Sequence, residues 1–134
     1  LHDVGHLLLD DNRPLAEPLT SDAGHERAGA RHLARWFPPA VTAPIALHVE
    51  AKRYLCATEV GYLESLSPSS LRSLEVQGGP MNESEVADFA ARSGAGDAIA
   101  VRRWDDRGKV AGLDVVEFGA YRDLLARLVV DQPR

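Results

Sequence analysis

The sequence has little of what several protein classes require. Cys56 is the single cysteine, which excludes an intrachain disulfide framework and is typical of a reducing compartment. Its apolar runs, such as Leu7-Leu8-Leu9, are far shorter than the roughly 20 residues of a membrane-spanning helix. Aromatic residues make up only 6%, and the formal net charge is -5, which both argue against nucleic-acid binding. We therefore expect a cytoplasmic protein that binds neither membrane nor nucleic acid.

The 134 residues are 45% hydrophobic, enough for one domain with its own core. Apolar residues recur at helical spacing, and no segment shows the strict alternation of a half-buried strand. The sequence therefore predicts an all-α fold in a single domain, 1–134. The predicted segments are a helix tail over 1–9, a loop over 10–20, and helices over 21–37, 42–56, 60–65, 67–76, 82–91, 97–104 and 116–130.

Several helix boundaries are predicted from local signals. Pro38-Pro39 should end one helix, and Thr42 should cap the next, with Pro44 in its first turn. Asn82 and Glu85 have the spacing of a capping box. The four predicted N-caps are Ser21, Thr42, Ser67 and Asn82.

Histidines are concentrated in the first third of the chain: His2, His6, His25, His32 and His48. Asp3 directly follows His2, and one carboxylate can bridge two metal ions because each of its oxygens can bind one. Imidazoles from other helices could complete each coordination shell. The alternative is that each histidine is an ordinary surface or core residue, and His32, between Arg31 and Arg35, is expected on a solvated face.

Five segments together resemble a known family. They are His-Asp-Val-Gly-His at 2–6, Gly-His-Glu-Arg-Ala-Gly-Ala at 24–30, His-Val-Glu-Ala-Lys-Arg-Tyr-Leu at 48–55, the serine- and glycine-containing stretch 67–81, and Arg-Arg-Trp-Asp-Asp with Lys109 at 102–109. This combination is similar to the HD-domain mixed-valent diiron oxygenases of organophosphonate breakdown, relatives of myo-inositol oxygenase. The resemblance implies an HD-domain helical bundle with two iron ions (Fe2+/Fe3+).

The resemblance also implies a ligand set. Asp3 would bridge the two irons, His25 and His48 would complete the protein ligands of one iron, and His2 and Asp105 would bind the other. Asp105 is preferred because it directly follows a tryptophan and stands four residues before a lysine, as the family's terminal ligand does.

Two further expectations concern the surroundings of these ligands. The resemblance places His6 at the substrate pocket as a catalytic residue, whereas Asp106 is expected to be solvated or to cap a helix. The family pattern includes another iron-binding histidine upstream of His2. We therefore expect that the natural protein has further residues before Leu1, that this domain lacks its N-terminal helix or helices, and that one iron is a ligand short.

A phosphonate carries up to two negative charges, so its site needs cationic donors. Lys52 lies one turn after His48 on the same helix face, and Arg102 lies three residues before Asp105, so both are predicted to bind substrate. Ser70 and Ser73, one turn apart near a helix start, are also predicted to bind the anion. The alternatives are a solvated lysine in a charged run and ordinary capping or exposed serines.

The reaction implied by the resemblance is oxidative cleavage of the C–P bond of a 1-hydroxyalkylphosphonate, of the 2-amino or 2-trimethylamino-1-hydroxyethylphosphonate type. Dioxygen is consumed, and a carboxylic acid and phosphate are released. One alternative is a metal-dependent HD phosphohydrolase that acts on a nucleotide or phosphate ester. Another is a non-catalytic HD-like domain.

Overall fold

The computed structural model describes residues 1–9 and 24–130. Within these ranges the regular structure is entirely helical, which confirms the all-α prediction. Two short 3-10 segments span Val4–Leu7 and Phe118–Tyr121. The α-helices are α1 (His25–Leu33), α2 (Pro39–Thr58), α3 (Tyr62–Ser65), α4 (Pro68–Val76), α5 (Glu83–Ala90), α6 (Ala95–Gly108) and α7 (Arg122–Leu128).

The longest helix, α2, lies at the centre of the fold. Its Leu47 and Ala51 pack against Phe89 of α5 and Ala98 of α6, and its Leu55 packs against buried residues of α3 and α4. Ala51 and Ala98 are fully buried, and side chains this small let α2 and α6 approach closely. The helix that carries His48 and Lys52 is thereby fixed against the helix that carries Arg102 and Asp105.

The boundary between α1 and α2 differs from the prediction. The first helix ends at Leu33 and not at 37, and the second begins at Pro39, so Thr42 lies inside α2 and is not its cap. Pro38 takes an extended conformation because another proline follows it. Pro39 fits the first helical position, where its missing N–H has no helical partner to lose. The predicted Ser21 cap and the 10–20 loop lie outside the described residues.

Two predicted helix starts are confirmed. Ser67 caps α4, and its hydroxyl accepts a hydrogen bond from the amide of Ser70. Asn82 and Glu85 form both hydrogen bonds of a capping box at the start of α5. Such caps satisfy amides that have no partner within the helix, which explains why local sequence sufficed here.

The two ends of the described chain are less regular than predicted. The 1–9 segment holds one 3-10 turn and not the tail of a helix. The predicted 116–130 helix is divided into the second 3-10 turn and α7. Most of its large apolar side chains are exposed, so it does not pack as an amphipathic helix should. None of the described helices has the length and low charge needed to cross a membrane.

Candidate metal centre

The carboxylate of Asp3 lies between two groups of side chains. Its Oδ1 atom is 3.6 Å from Nε2 of His25 and 3.7 Å from Nε2 of His48. Its Oδ2 atom is 3.1 Å from Nε2 of His2. One carboxylate therefore faces two separate sets of potential ligands, one through each oxygen.

The first set is His25 and His48, whose Nε2 atoms are 3.3 Å apart. Both side chains are buried. Nδ1 of His48 donates a hydrogen bond of 2.8 Å to the carbonyl oxygen of Ile45, which leaves the lone pair on Nε2. Burial lowers the pKa of His48 to about 4, so this ring is neutral near pH 7, as a metal ligand must be.

The second set is His2 and Asp105, with Nε2 of His2 3.5 Å from Oδ1 of Asp105. The carboxylates of Asp105 and Asp3 raise the pKa of His2 to about 9 against the opposing effect of burial. Burial opposes ionisation of Asp105, but His2 and Lys109 together hold its pKa well below the usual range. The pKa of Asp3 is also lowered, by His2 and then by His25. Both carboxylates are therefore ionised, and a metal ion here would displace a proton from His2.

Four separate elements bring these residues together. Asp3 precedes the first 3-10 segment, His25 is the first residue of α1, His48 lies within α2, and Asp105 lies in the last turns of α6. The 3-10 segment reaches α1 because Gly5 has no side chain, and a Cβ atom there would overlap the backbone carbonyl of His25.

The donor types fit a pair of transition-metal ions. Imidazole and carboxylate ligands together suit iron and its neighbours in the periodic table. Ligand atoms of His2, Asp3 and Asp105 lie within 4.8 Å of one another, and so do those of Asp3, His6 and His25. The first ion would be held by Asp3, His25 and His48, and the second by Asp3, His2 and Asp105.

The other two histidines occupy different surroundings. His6 is exposed, and its ring stacks on that of His25 with a centroid separation of 3.9 Å. It therefore lies beside the first set of ligands, where its predicted substrate role remains a prediction. His32, expected on a solvated face, is half-buried and packs edge-on against Trp36.

Lys52 is buried, with 3% of its surface exposed, so the alternative of a solvated lysine is wrong. Its Nζ donates a hydrogen bond of 2.6 Å to Oγ of Ser73, which in turn donates to the backbone carbonyl of Ser70. A charge buried to this degree is stable only where polar groups or an anion surround it.

Ser70 collects several donors on one hydroxyl. Its Oγ lies 3.4 Å from Nη2 of Arg102, 3.2 Å from Nζ of Lys109 and 3.1 Å from Oγ of Ser67. A hydroxyl oxygen has two lone pairs, so three donors exceed its capacity. Ser70 is buried and is not the exposed serine of the alternative interpretation. The excess of donors and positive charge is suited to an anion.

Arg102 contacts both the hydroxyl of Ser70 and the proposed metal ligand Asp105. Its Nη1 is 2.9 Å from Oδ2 of Asp105, whereas its Nε and Nη2 both bond to the carboxylate of Asp106. Asp106, expected to be solvated or to cap a helix, is instead half-buried and ion-paired with Arg102. Asp106 also accepts a hydrogen bond of 2.5 Å from the hydroxyl of Tyr62.

A cleft of about 720 Å³ opens beside the second ligand set. It is lined by His2, Asp105 and Lys109 and by apolar side chains such as Ile45 of α2 and Trp104 of α6. A small molecule that enters the cleft would reach the atoms of His2 and Asp105 directly.

The chain is similar to two phosphonate dioxygenases. It is 46% identical over 121 residues to hydroxymethylphosphonate dioxygenase of Gimesia maris, and the aligned region covers 90% of the chain and 60% of that protein. It is 40% identical over 129 residues to [1-hydroxy-2-(trimethylamino)ethyl]phosphonate dioxygenase (glycine-betaine-forming) of Leisingera caerulea, and the aligned region covers 96% of the chain and 65% of that protein. No protein-family model matches the chain. The chain thus spans somewhat less than two thirds of the length of these curated relatives.

Two residues in contact with the site were not assigned a role from the sequence. Lys109 was noted only as part of a motif, yet its Nζ lies 2.7 Å from Oδ2 of Asp105. Tyr62, at the start of a four-residue helix, has no spacing signal that would single it out. The four-residue spacing of Arg102 and Asp106 could have indicated their ion pair, since such residues are neighbours on a helix surface.

Proposed function

We propose that the chain forms the HD-type catalytic domain of a diiron oxygenase that cleaves the C–P bond of a 1-hydroxyalkylphosphonate. The observation that carries this proposal is the position of Asp3, whose two carboxylate oxygens face separate ligand sets. The cationic group around Ser70 lies close by, because Arg102 contacts both Ser70 and Asp105. The names of the two similar proteins support a phosphonate as substrate and dioxygen as co-substrate.

Two irons, held by Asp3, His25 and His48 and by Asp3, His2 and Asp105, would supply the redox chemistry for the reaction with dioxygen. The protein provides neutral and anionic ligands for them. His48 is kept neutral by burial, and Asp3 and Asp105 are kept ionised by the charges around them. The hydrogen bond from His48 to Ile45 fixes the orientation of that ring.

The substrate's phosphonate would bind where Lys52, Arg102 and Lys109 converge on Ser70 and Ser73. Its oxygens would accept the hydrogen bonds that these donors otherwise make to hydroxyl groups. Lys52 and Arg102 are buried, and the attraction between their charges and an anion is stronger there than in bulk water.

His6 lies beside the first ligand set. Its ring stacks on His25 and is exposed on its other side, so it can meet a substrate bound at the first ligand set. We assign it to a contact with the substrate's hydroxyl group, where an imidazole can donate or accept a proton.

The overall reaction balances with dioxygen as the only oxidant. The C–P bond breaks, the carbon that carried the phosphorus becomes a carboxylic acid, and phosphorus leaves as phosphate. One molecule of dioxygen supplies both added oxygen atoms, one to the acid and one to the phosphate. Phosphate release and dioxygen uptake should therefore be equal.

The test is aerobic incubation of the iron-loaded chain with hydroxyphosphonates and, separately, with nucleotides and other phosphate esters. Phosphate release and oxygen consumption are measured together, and Asp3→Asn serves as the variant without a bridging carboxylate. Equal release and uptake from a hydroxyphosphonate, lost in Asp3→Asn, would support the proposal. Phosphate released from esters without oxygen uptake would favour the phosphohydrolase alternative. A protein that binds no iron and turns over neither class would be a non-catalytic domain.

A further inference from the structure

Arg102 is held by a group of residues outside the proposed ligand and substrate sets. Its side chain is buried, with 4% of its surface exposed. Nε donates hydrogen bonds of 3.0 Å to the hydroxyl oxygen of Tyr62 and 3.2 Å to Oδ2 of Asp106. Nη2 donates to Oδ1 of the same carboxylate. Asp106 thus receives the Nε–Nη2 edge of the guanidinium through both oxygens, which is the geometry that restricts arginine most.

Tyr62 contacts both Arg102 and Asp106. Its hydroxyl donates to Oδ2 of Asp106 and accepts from Nε of Arg102, so it bonds to both partners of the ion pair. Burial, together with Asp106, raises the pKa of Tyr62, and its hydroxyl therefore keeps its proton and remains a donor. The guanidinium plane is fixed from two directions.

The fixed plane determines where the remaining nitrogen points. Nη1 of Arg102 lies 2.9 Å from Oδ2 of Asp105, while Oδ1 of Asp105 is the oxygen that faces His2. Arg102 therefore occupies one oxygen of Asp105 and leaves the other toward the second ligand set. Lys109 contacts the same Oδ2 atom, but its side chain is 37% exposed and solvent screens its attraction more strongly.

We propose that Tyr62 and Asp106 are positioning residues for the second metal site, and that they act through Arg102 to orient Asp105. This inference rests on the proposed function, because it needs Asp105 to be a metal ligand. Groups that orient ligands in this way typically change metal affinity by about 10- to 100-fold when they are removed. The first site should not respond, because the hydrogen bonds of Tyr62 and Asp106 described above lead to Arg102, whereas the rings of His25 and His48 contact each other and Asp3.

The test uses cobalt(II) as the probe, because its visible absorption reports ligand geometry without any turnover. The chain is titrated with cobalt(II) as wild type, Tyr62→Phe and Asp106→Asn. Asp105→Asn identifies the binding step that belongs to the second site. Glu59→Gln is the matched control, since it removes an exposed carboxylate that pairs with Arg103, the next residue of α6.

The second-site step is the cobalt-binding step that is lost in Asp105→Asn. We expect Tyr62→Phe and Asp106→Asn each to weaken the cobalt affinity of this step by about 10-fold or more and to alter its absorption spectrum. The cobalt affinity of the other step should stay at its wild-type value, and Glu59→Gln should leave both steps unchanged. If the second-site step keeps its wild-type affinity and spectrum in Tyr62→Phe and Asp106→Asn, the inference is wrong, but the proposed metal centre is not affected. If Asp105→Asn removes no step, Asp105 is not a ligand, and both the inference and the second half of the proposed centre are wrong. Thermal unfolding of each variant shows that it is folded and separates a general loss of stability from the selective effect.

Discussion

Buried charged side chains define the site at the scale of single residues. Lys52 of α2 bonds to a serine hydroxyl of α4, and Arg102 of α6 bonds to Tyr62 of α3 and to an aspartate of its own helix. Removal of water from such groups is costly unless their hydrogen bonds are made, so each one restricts its neighbours. The proposed anion site and the proposed metal ligands are consequently linked by direct contacts and not only by proximity.

The contribution of Lys52 can be measured with Lys52→Met, which keeps an apolar stem in the buried position and removes the charge. We expect KM for the phosphonate to rise by about 10- to 150-fold, equivalent to about 1.5–3 kcal/mol for a charged hydrogen bond. Bound iron should not change, because Lys52 is not among the proposed ligands. Steady-state kinetics and metal analysis check the two parts.

Arg72→Ala is the matched control for Lys52→Met. It removes a cation from α4, the helix of Ser70 and Ser73, but from an exposed position. KM should stay within about twofold of wild type, as for most exposed substitutions. Equal increases in KM for both variants would mean that the general charge of the protein attracts the substrate and that Lys52 has no specific contact with it.

Contacts between elements determine whether the ligands meet. Asp3 is placed by a single 3-10 turn, and that turn reaches α1 where Gly5 and Gly29 lie against each other. Small residues at such a contact allow close approach of two backbones. The position of the Asp3 carboxylate therefore depends on two residues without side chains.

Gly5→Ala tests this dependence. The added Cβ would meet the backbone carbonyl of His25, which cannot move aside as a flexible side chain could. We expect a loss of stability of about 1–3 kcal/mol and weaker metal binding, because the 3-10 segment must shift and take Asp3 with it. Gly96→Ala is the control, since its Cβ would have open space within α6 and should be neutral or slightly stabilising. Wild-type metal affinity in Gly5→Ala would show that Asp3 is positioned by something else.

The capping box of α5 provides an independent check of element stability. Asn82→Ala removes the side chain that accepts from the amide of Glu85. We expect a loss of about 1 kcal/mol in the free energy of unfolding and no change in metal affinity, because α5 carries no proposed ligand. Chemical denaturation and metal titration measure the two quantities. An unchanged unfolding midpoint would contradict the role of the cap.

Local sequence predicted the elements unequally. The starts of α4 and α5 followed from Ser67, Asn82 and Glu85, whose effects are confined to one turn. The start of α2 did not, because a proline pair is compatible both with the end of one helix and with the start of another. The 116–130 segment has helical periodicity, but periodicity does not say whether a partner surface exists.

Convergence of the ligands is a property of the whole molecule. Asp3, His25, His48 and Asp105 lie on four elements, and no spacing between them in the sequence implies contact. Their predicted association came from the resemblance of five motifs to a family, and the structure brings the side chains together. The proposed role of Tyr62 was outside the reach of sequence because it depends on how α3 meets α6, whereas the four-residue spacing of Arg102 and Asp106 could indicate only their ion pair.

Bound metal should stabilise the folded chain, since the ligands are assembled only when all four elements are packed. At a free iron(II) concentration 100 times Kd, the stabilisation would be about 2.7 kcal/mol for one site. The melting temperature should rise with anaerobic iron(II), fall again with a chelator, and respond less in Asp3→Asn. A melting temperature that does not depend on iron would contradict the proposed centre.

The most direct test of the central claim is an iron-edge anomalous difference map from a crystal of the iron-loaded chain. We predict two peaks, roughly 3.5–4 Å apart as in known two-metal sites, on either side of the Asp3 carboxylate. One should lie beside His25 and His48, and the other beside His2 and Asp105. Full iron occupancy at any other position, with no peak next to Asp3, would contradict the account.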